Sequence, residues 1–370
     1  MSNRNSLEIP FQSWYRRFAG QWYMPMVKAI VGFSLIAVLP LLLDLSILGV
    51  SLADFFSIEI LIVTLMFATM SQAWNIMTGF TGYFSFGHAT FFGIGVYINL
   101  KLLIDYGINP WIGMLVAATF AALIGISIGY ITFRFDLQGH YFALTTLAFA
   151  LLFWALARNM TEFGGSQGLF RPFAQEYASG SGLLAFQWNG QLPYFYLILV
   201  FLVIVTVVAW AIKNSAIGVY LFAIKEDEKA AQSLGIPVFR YKIFAIGTSA
   251  FLTAIVGTFW SMFYITVTPQ SIFQMDRNLE ILLPAVIGGL GTIAGPIVGA
   301  IVVFPFSEII RQTFGNIAGF DRIIYGLAII FIVLYSPRGI VYWPKRFQTV
   351  WTWLSRTLNT GSALEESDDQ

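Results

Sequence analysis

The run PYFYLILVFLVIVTVVAWAI (193–212) is twenty residues long and carries no charge. A helix needs roughly 20 apolar residues to cross a hydrocarbon core of about 30 Å, so this stretch reads as a membrane span. Apolar segments recur on both sides of it, near 29–50, 57–78, 86–104, 110–133, 138–157, 241–262, 279–291, 293–310 and 322–336. Composition points the same way: 11% of the 370 residues are charged, against about a quarter in a soluble domain that must cover its core with polar surface. The expected fold is an all-α polytopic integral membrane protein with about ten transmembrane helices, embedded in a lipid bilayer.

Two of the junctions between segments are rich in glycine. GFTGYFSFGH (79–88) lies between the second and third segments, and GGLGTIAGP (288–296) follows the eighth. Irregular backbone at membrane depth is tolerated only where protein or a water-filled cavity covers its polar groups. Both stretches therefore read as broken segments beside a lined passage. The eighth segment is too short to span comfortably and reads as half of a broken or re-entrant pair with the ninth.

Lysine and arginine set the orientation, because basic residues are retained on the cytoplasmic side. Residues 1–28 carry four, 213–242 carry five and the stretch from Arg338 onward carries four, together thirteen of the twenty. Ten crossings place both termini and the 213–242 loop in the cytoplasm; nine would place the basic tail outside. The expected organisation is an N-terminal segment over 1–28, a transmembrane domain over 29–340 and a cytoplasmic tail over 341–370. Within the membrane domain, 213–240 is the cytoplasmic loop and 158–192 the largest external one. No secretory signal is expected at the start. Phe11, Trp14, Tyr15, Phe18 and Trp22 fall at helical spacing beside Arg16 and Arg17, as in a helix lying in the interface. The acidic end EESDDQ reads as disordered.

The net charge of +1 gives no reason to expect a nucleic-acid partner. There is no cysteine, and the two histidines, His88 and His140, are far apart. No metal site is expected. A phosphate-binding loop needs a Gly-Lys pair, and the sequence contains none. HExxH and Gly-x-Ser-x-Gly are likewise missing, so the chain is not expected to be an enzyme.

The stretch AIKEDEKAAQSLGIPVFRYK (223–242) concentrates seven charges in twenty residues. Glu226, Asp227 and Glu228 precede Ala230 and Ala231, and Gly235 and Pro237 follow, which predicts a short helix stopped by a glycine cap. Ile224, Ala231 and Leu234 fall on one apolar stripe, with Glu226, Lys229 and Ser233 towards the other side. Such a helix at a membrane surface can dock into a groove on a partner.

These residues carry a resemblance. SQAWNIMTGFTGYFSFGHATFFGIGVY (71–97) resembles the Asn-x-x-x-Gly-x-x-Gly-x-x-Ser-x-Gly-His signature of the branched-chain amino acid permeases of bacterial ATP-binding-cassette importers, the LivM-type family. AIKEDEKAAQSLGI (223–236) resembles that family's coupling loop, PAVIGGLGTIAGPIVGA (284–300) its glycine-rich segment, and YGLAIIFIVLYSPRGI (325–340) its last span. FGGSQGL (163–169) resembles a Thr-Gly-Gly-x-x-Gly element with Phe163 in place of threonine, and Lys225 stands where arginine is usual.

What the resemblance implies is an importer permease in a bacterial inner membrane. Its partners would be cytoplasmic ATPase subunits, a second homologous permease and an external solute-binding protein. The chain would bind no cofactor, ATP being used by the partner subunits. Glu226, Asp227, Glu228, Lys229, Ala230, Ala231, Leu234 and Gly235 would form the ATPase-coupling element, with charges such as Glu228 pairing with the ATPase surface. Path or helix-break candidates are Gln72, Asn75, Thr78, Gly79, Gly82, Ser85, Gly87, His88, Thr145, Thr146, Gly288, Gly289, Gly291 and Gly295. Intramembrane histidine can relay protons, but the family places His88 in a packing motif. The hydroxyls and amides can hydrogen-bond a zwitterion or join helices. Glu59 and Glu308, near membrane depth, each require an interface or a partner.

The expected solute is a branched-chain or other hydrophobic amino acid, with urea, short amides or a small organic acid as alternatives. A secondary transporter would show an intramembrane charge relay and similar halves, and a channel a filter or charge ring.

Overall fold

A computed structural model of the chain describes residues 29–41, 46–47, 50–51, 57–172 and 182–314, with 323, 326–327, 330, 334–336 and 339–342. The expected interfacial helix, the acidic end and most of the last span lie outside the described residues. These residues form two units, one within Met1–Ser57 and one within Ile58–Gln370.

The first unit corrects the expected segment over 29–50. Among the described residues its helix α1 covers Ala29–Leu41, and Ser46–Ile47 (β1) pairs antiparallel with Val50–Ser51 (β2). β-branched Ile47 and Val50 favour the extended backbone they adopt.

The second unit is a helical bundle. Among the described residues, six helices are long and apolar enough to cross a membrane: α2 (Ile58–Thr81), α4 (Pro110–Arg134), α5 (His140–Asn159), α7 (Leu192–Lys213), α10 (Val238–Phe263) and α13 (Gly295–Phe314). Shorter elements join them in chain order. These are α3 (His88–Tyr106), α6 (Gly182–Ala185), α8 (Ala216–Glu226), α9 (Glu228–Ser233), α11 (Pro269–Phe273) and α12 (Met275–Gly288). Each expected segment from the second to the ninth lies on one helix, and α12, with 14 residues, is the short one.

Local chemistry sets the ends. Asn109 accepts a hydrogen bond from the Trp111 amide at 2.9 Å, with Pro110 opening α4, where its missing N–H costs nothing. Gly107 ends α3 in the left-handed region at φ 61°, which glycine adopts without strain.

Helices α2 and α10 are central, whereas most of α5 and α13 is uncovered. Helix α10 packs on α4, α3, α2 and α7. Its crossing with α3 is backbone to backbone: a Cβ on Gly257 would lie 2.2 Å from the Phe92 oxygen, and one on Gly95 2.2 Å from the Ala254 oxygen. Without a large area difference between protein and lipid to drive helices together, such close van der Waals contact carries association.

One end of this bundle gathers the chemistry. The Tyr83 ring meets Phe133 of α4 and Phe142 of α5 edge-on at 5.4 and 5.3 Å. The C-terminal end of α2, the C-terminal end of α4 and the N-terminal ends of α5 and α10 therefore share that end. At the C-terminal end of α10 a two-residue ladder pairs Leu169–Phe170 (β3) with Thr266–Val267 (β4).

Candidate functional site

The two glycine-rich breaks, over two hundred residues apart in sequence, touch. Asn75 of α2 makes the junction: its Oδ1 accepts from the Gly291 amide at 2.8 Å and its Nδ2 donates to the Thr292 carbonyl at 2.9 Å. A Cβ on Gly79 would lie 2.8 Å from the Gly291 nitrogen, so glycine is needed for the loop to come this close. Thr292 Oγ1 donates to the Gly289 carbonyl at 2.8 Å and accepts from the Gly295 amide at 2.9 Å, which closes the turn between Gly288 and Gly295. Gly339 backs onto Gly289, where a Cβ would lie 2.4 Å from the Gly289 Cα.

A helix leaves its last carbonyls without internal partners. At the end of α2 the Gly79 carbonyl accepts instead from Lys225 Nζ at 2.9 Å, and the Gly291 carbonyl accepts from Lys213 Nζ at 2.7 Å. Both ammonium groups also lie over the Phe222 ring, at 5.9 and 5.5 Å, where the ring quadrupole attracts a cation. Burial lowers the Lys225 pKa, opposed by the neighbouring Glu226 carboxylate.

After Gly82, in the left-handed region at φ 78°, the chain turns back into the bundle. Trp74 Nε1 donates to the Ser85 carbonyl at 2.8 Å, and the Phe86 amide donates to Thr146 Oγ1 at 3.1 Å. The Ser85 amide approaches Thr78 Oγ1 at 3.4 Å. Gly87 lets this stretch abut α5, since a Cβ there would lie 2.9 Å from the Thr146 oxygen. Tyr83, Ser85 and Gly87 are thus covered by protein, as burial in a membrane requires, while Gly82 and Phe84 are exposed.

His88 is fully buried and held by two serines, Nδ1 to Ser85 Oγ at 3.0 Å and Nε2 to Ser249 Oγ at 2.7 Å. Ser249 Oγ donates its proton to the Ala73 carbonyl at 2.7 Å. It therefore accepts from His88 Nε2–H, and Nδ1 accepts from Ser85, an assignment fixed by the hydrogen-bond network. A neutral imidazole in that tautomer ties α2, α3 and α10 together.

The charged stretch forms two helices rather than one. Asp227 breaks them in an extended conformation and caps α9, its Oδ1 accepting from the Ala230 amide at 3.0 Å as an N-cap does. The other end closes on glycine as expected. Gly235 has φ 81°, its amide donates to the Gln232 carbonyl at 2.9 Å, and the Ile236 amide donates to the Ala231 carbonyl at 3.1 Å, the Schellman pattern.

The end of α9 corrects the expected stripe. Ile224 and Ala231 are buried, but Leu234 is 82% exposed, because it lies past the last helical residue, at the C-cap where the chain turns at Gly235. Glu226, Asp227, Lys229 and Ala230 are exposed beside it.

Glu228 corrects a second expectation, for it does not face outward. Its Oε1 pairs with Lys242 Nζ at 2.7 Å, and its Oε2 accepts from the Tyr83 hydroxyl. Lys242 Nζ also lies 3.1 Å from the Tyr83 hydroxyl and over the Tyr83 and Phe133 rings at 4.7 and 4.6 Å. Burial first, then the hydrogen bond to Glu228, raise the Tyr83 pKa, so the phenol stays protonated and donates. Sequence reasoning passed over Tyr83, Lys213 and Lys242. The available signal was a lysine four residues into an apolar helix, which demands a partner.

Of the remaining named residues, Thr145 stands apart on the half-covered face of α5 and donates to its own Tyr141 carbonyl at 2.8 Å. Gln72 is fully buried, and neither atom of its amide meets a hydrogen-bond partner among the described residues. Glu59 accepts from Tyr264 at 3.1 Å, and Glu308 pairs with Arg311 at 2.7 Å. Both carboxylates thus have the partners their position requires.

A bundle of apolar helices with two glycine breaks joined at one end, and a short charged helix presented beside them, fits a polytopic membrane protein. Residues 56–333 match the family described as branched-chain amino acid transport system, permease component, and the chain belongs to that family. It is a permease subunit of an ATP-binding-cassette importer. The high-affinity branched-chain amino acid transport system permease protein LivM of Escherichia coli is 25% identical over 303 residues, covering 77% of this chain and 70% of that one. A probable branched-chain amino acid transport permease protein LivM of Methanocaldococcus jannaschii is 20% identical over 249 residues, 63% of this chain and 70% of that one. The ribose import permease protein RbsC of Haemophilus influenzae is 30% identical over 105 residues, 27% of this chain and 32% of its own.

Proposed function

We propose that this permease moves branched-chain or other hydrophobic amino acids inward across a bacterial inner membrane, driven by ATP that partner subunits hydrolyse. The family description and the names of the relatives that cover most of the chain support the solute. The end bearing Lys213, Lys225 and Lys242 is the cytoplasmic one, by retention of basic residues on that side. An external binding protein delivers the solute, and a second permease completes the path. Gln72, with its unanswered amide inside α2, is our first choice for a group lining that path, because a buried amide without a partner is costly.

One observation carries the coupling role. The end of α9 projects a bare apolar side chain, Leu234, with Glu226, Asp227, Lys229 and Ala230 also exposed, while Lys225 of α8 holds the first glycine break and Glu228 of α9 pairs with Lys242 of α10. Leu234 seats in a cleft of the ATPase, and the surrounding charges set its register.

Leu234→Arg tests this. Solvent surrounds the side chain, so folding is untouched, while loss of an anchor residue at an interface lowers ATPase binding about tenfold or more. The measurement is recovery of ATPase subunits with the permease purified from its membrane in mild detergent. Undiminished recovery with Leu234→Arg contradicts the docking role.

A further inference from the structure

Between them, α8 and α9 hold the segment Gly79–Tyr83 at both of its ends. Lys225, the penultimate residue of α8, donates to the Gly79 carbonyl at 2.9 Å. Glu228, the first residue of α9, accepts from the Tyr83 hydroxyl and is itself anchored by Lys242 of α10 at 2.7 Å. Only Glu226 and the extended Asp227 separate the two contacts. The Gly82 backbone fills the space between, where a Cβ would lie 3.2 Å from Lys225 Cγ. Gly79 in turn touches Gly291, so the grip reaches the second break through the first.

We propose that Lys225 and the Glu228–Tyr83–Lys242 group form a two-point clamp through which the coupling element positions the Gly79–Tyr83 turn, and that this clamp converts ATPase movement into opening of the glycine junction. The inference rests on the docking role proposed above for α8–α9 and adds the inward half of the transmission. The physical grounds are specific. The Gly79 carbonyl has no helical partner of its own, so its position follows whatever donor reaches it, and Lys225 is that donor. A rotation of α9 about the Asp227 break moves Glu228 with respect to Lys225, and the turn they hold must bend or release. Bending is easy there, because Gly79 and Gly82 flank it and Gly82 already occupies the left-handed region. The side chains concerned are positioning residues; none is placed in contact with the solute.

The test uses the complete transporter, permease with its ATPase partners, in proteoliposomes loaded for leucine uptake. It measures leucine moved per ATP hydrolysed for wild type, Lys225→Met, Lys225→Arg and Tyr83→Phe. Lys225→Met and Tyr83→Phe should each lower the ratio about fivefold or more, and Lys225→Arg, which keeps the donor, should stay within about twofold of wild type, in the range of ordinary coupling energies. A merely structural role would reduce the amount of active transporter and leave the ratio per ATP unchanged. A wild-type ratio in Lys225→Met and Tyr83→Phe overturns the clamp and leaves the importer reading standing. Wild-type protein that takes up leucine without ATP overturns the coupling reading and the clamp with it.

Discussion

Lys242→Met is expected to destabilise the folded protein by roughly 3–5 kcal/mol, the usual cost of removing one partner of a buried ion pair. The lysine side chain is 4% exposed and that of Glu228 12% exposed. With the ammonium gone, the carboxylate keeps only the Tyr83 phenol and loses the charge that offsets its removal from water. The rings of Tyr83 and Phe133, which now face a cation, would face a thioether instead. The double variant Glu228→Gln with Lys242→Met should recover a large part of the loss, because no charge is then left unmatched. Thermal denaturation of the purified protein in detergent, run on wild type, both single variants and the double, gives the interaction energy as a cycle. Equal and additive effects of the two single changes would show that the pair is not coupled.

Gly257→Val is the second large effect. The new Cβ would lie 2.2 Å from the Phe92 oxygen, 3.0 Å from the Val96 nitrogen and 3.1 Å from the Gly95 Cα. All three are backbone atoms of α3, so no side chain can turn aside and the helices must separate. Overpacking of this kind costs about 1–3 kcal/mol, and more where backbone is displaced. The loss of the close α3–α10 contact falls on both central packing glycines at once. Gly190→Ala is the control. Nothing lies within 4 Å of its Cβ position, and the change should stay within about 0.5 kcal/mol of wild type. Yields of folded protein by size-exclusion chromatography and melting temperatures separate the two. Equal behaviour of Gly257→Val and Gly190→Ala would contradict the packing account.

The helices were legible because a bilayer demands long uncharged runs, and 193–212 lies within α7 almost residue for residue. The glycine breaks were legible for the same reason: irregular backbone among such runs has to be covered. Their meeting was not, since Asn75 and Gly291 are joined only by tertiary structure. The 29–50 segment misled because hydropathy does not register how Ile47 pairs with Val50. The apolar stripe failed at Leu234, which lies one residue past the end of α9, where the chain turns at Gly235. Periodicity assumes that the helix continues, and the glycine cap ends it. Glu228 was assigned to the coupling element by resemblance; its partner Lys242 stood in the same stretch, fourteen residues on, but nothing in the spacing says that α10 folds back to meet it.

The central claim is that this chain passes solute only when partner subunits hydrolyse ATP. The most direct measurement is accumulation of labelled leucine in vesicles containing the permease, its ATPase partners and the external binding protein. It is made with and without ATP on the side of Lys213 and Lys225, and with and without an ion gradient. Accumulation that requires ATP and the binding protein and survives collapse of the gradient is the predicted result. Accumulation by this chain alone, driven by the gradient in the absence of ATP, would contradict it.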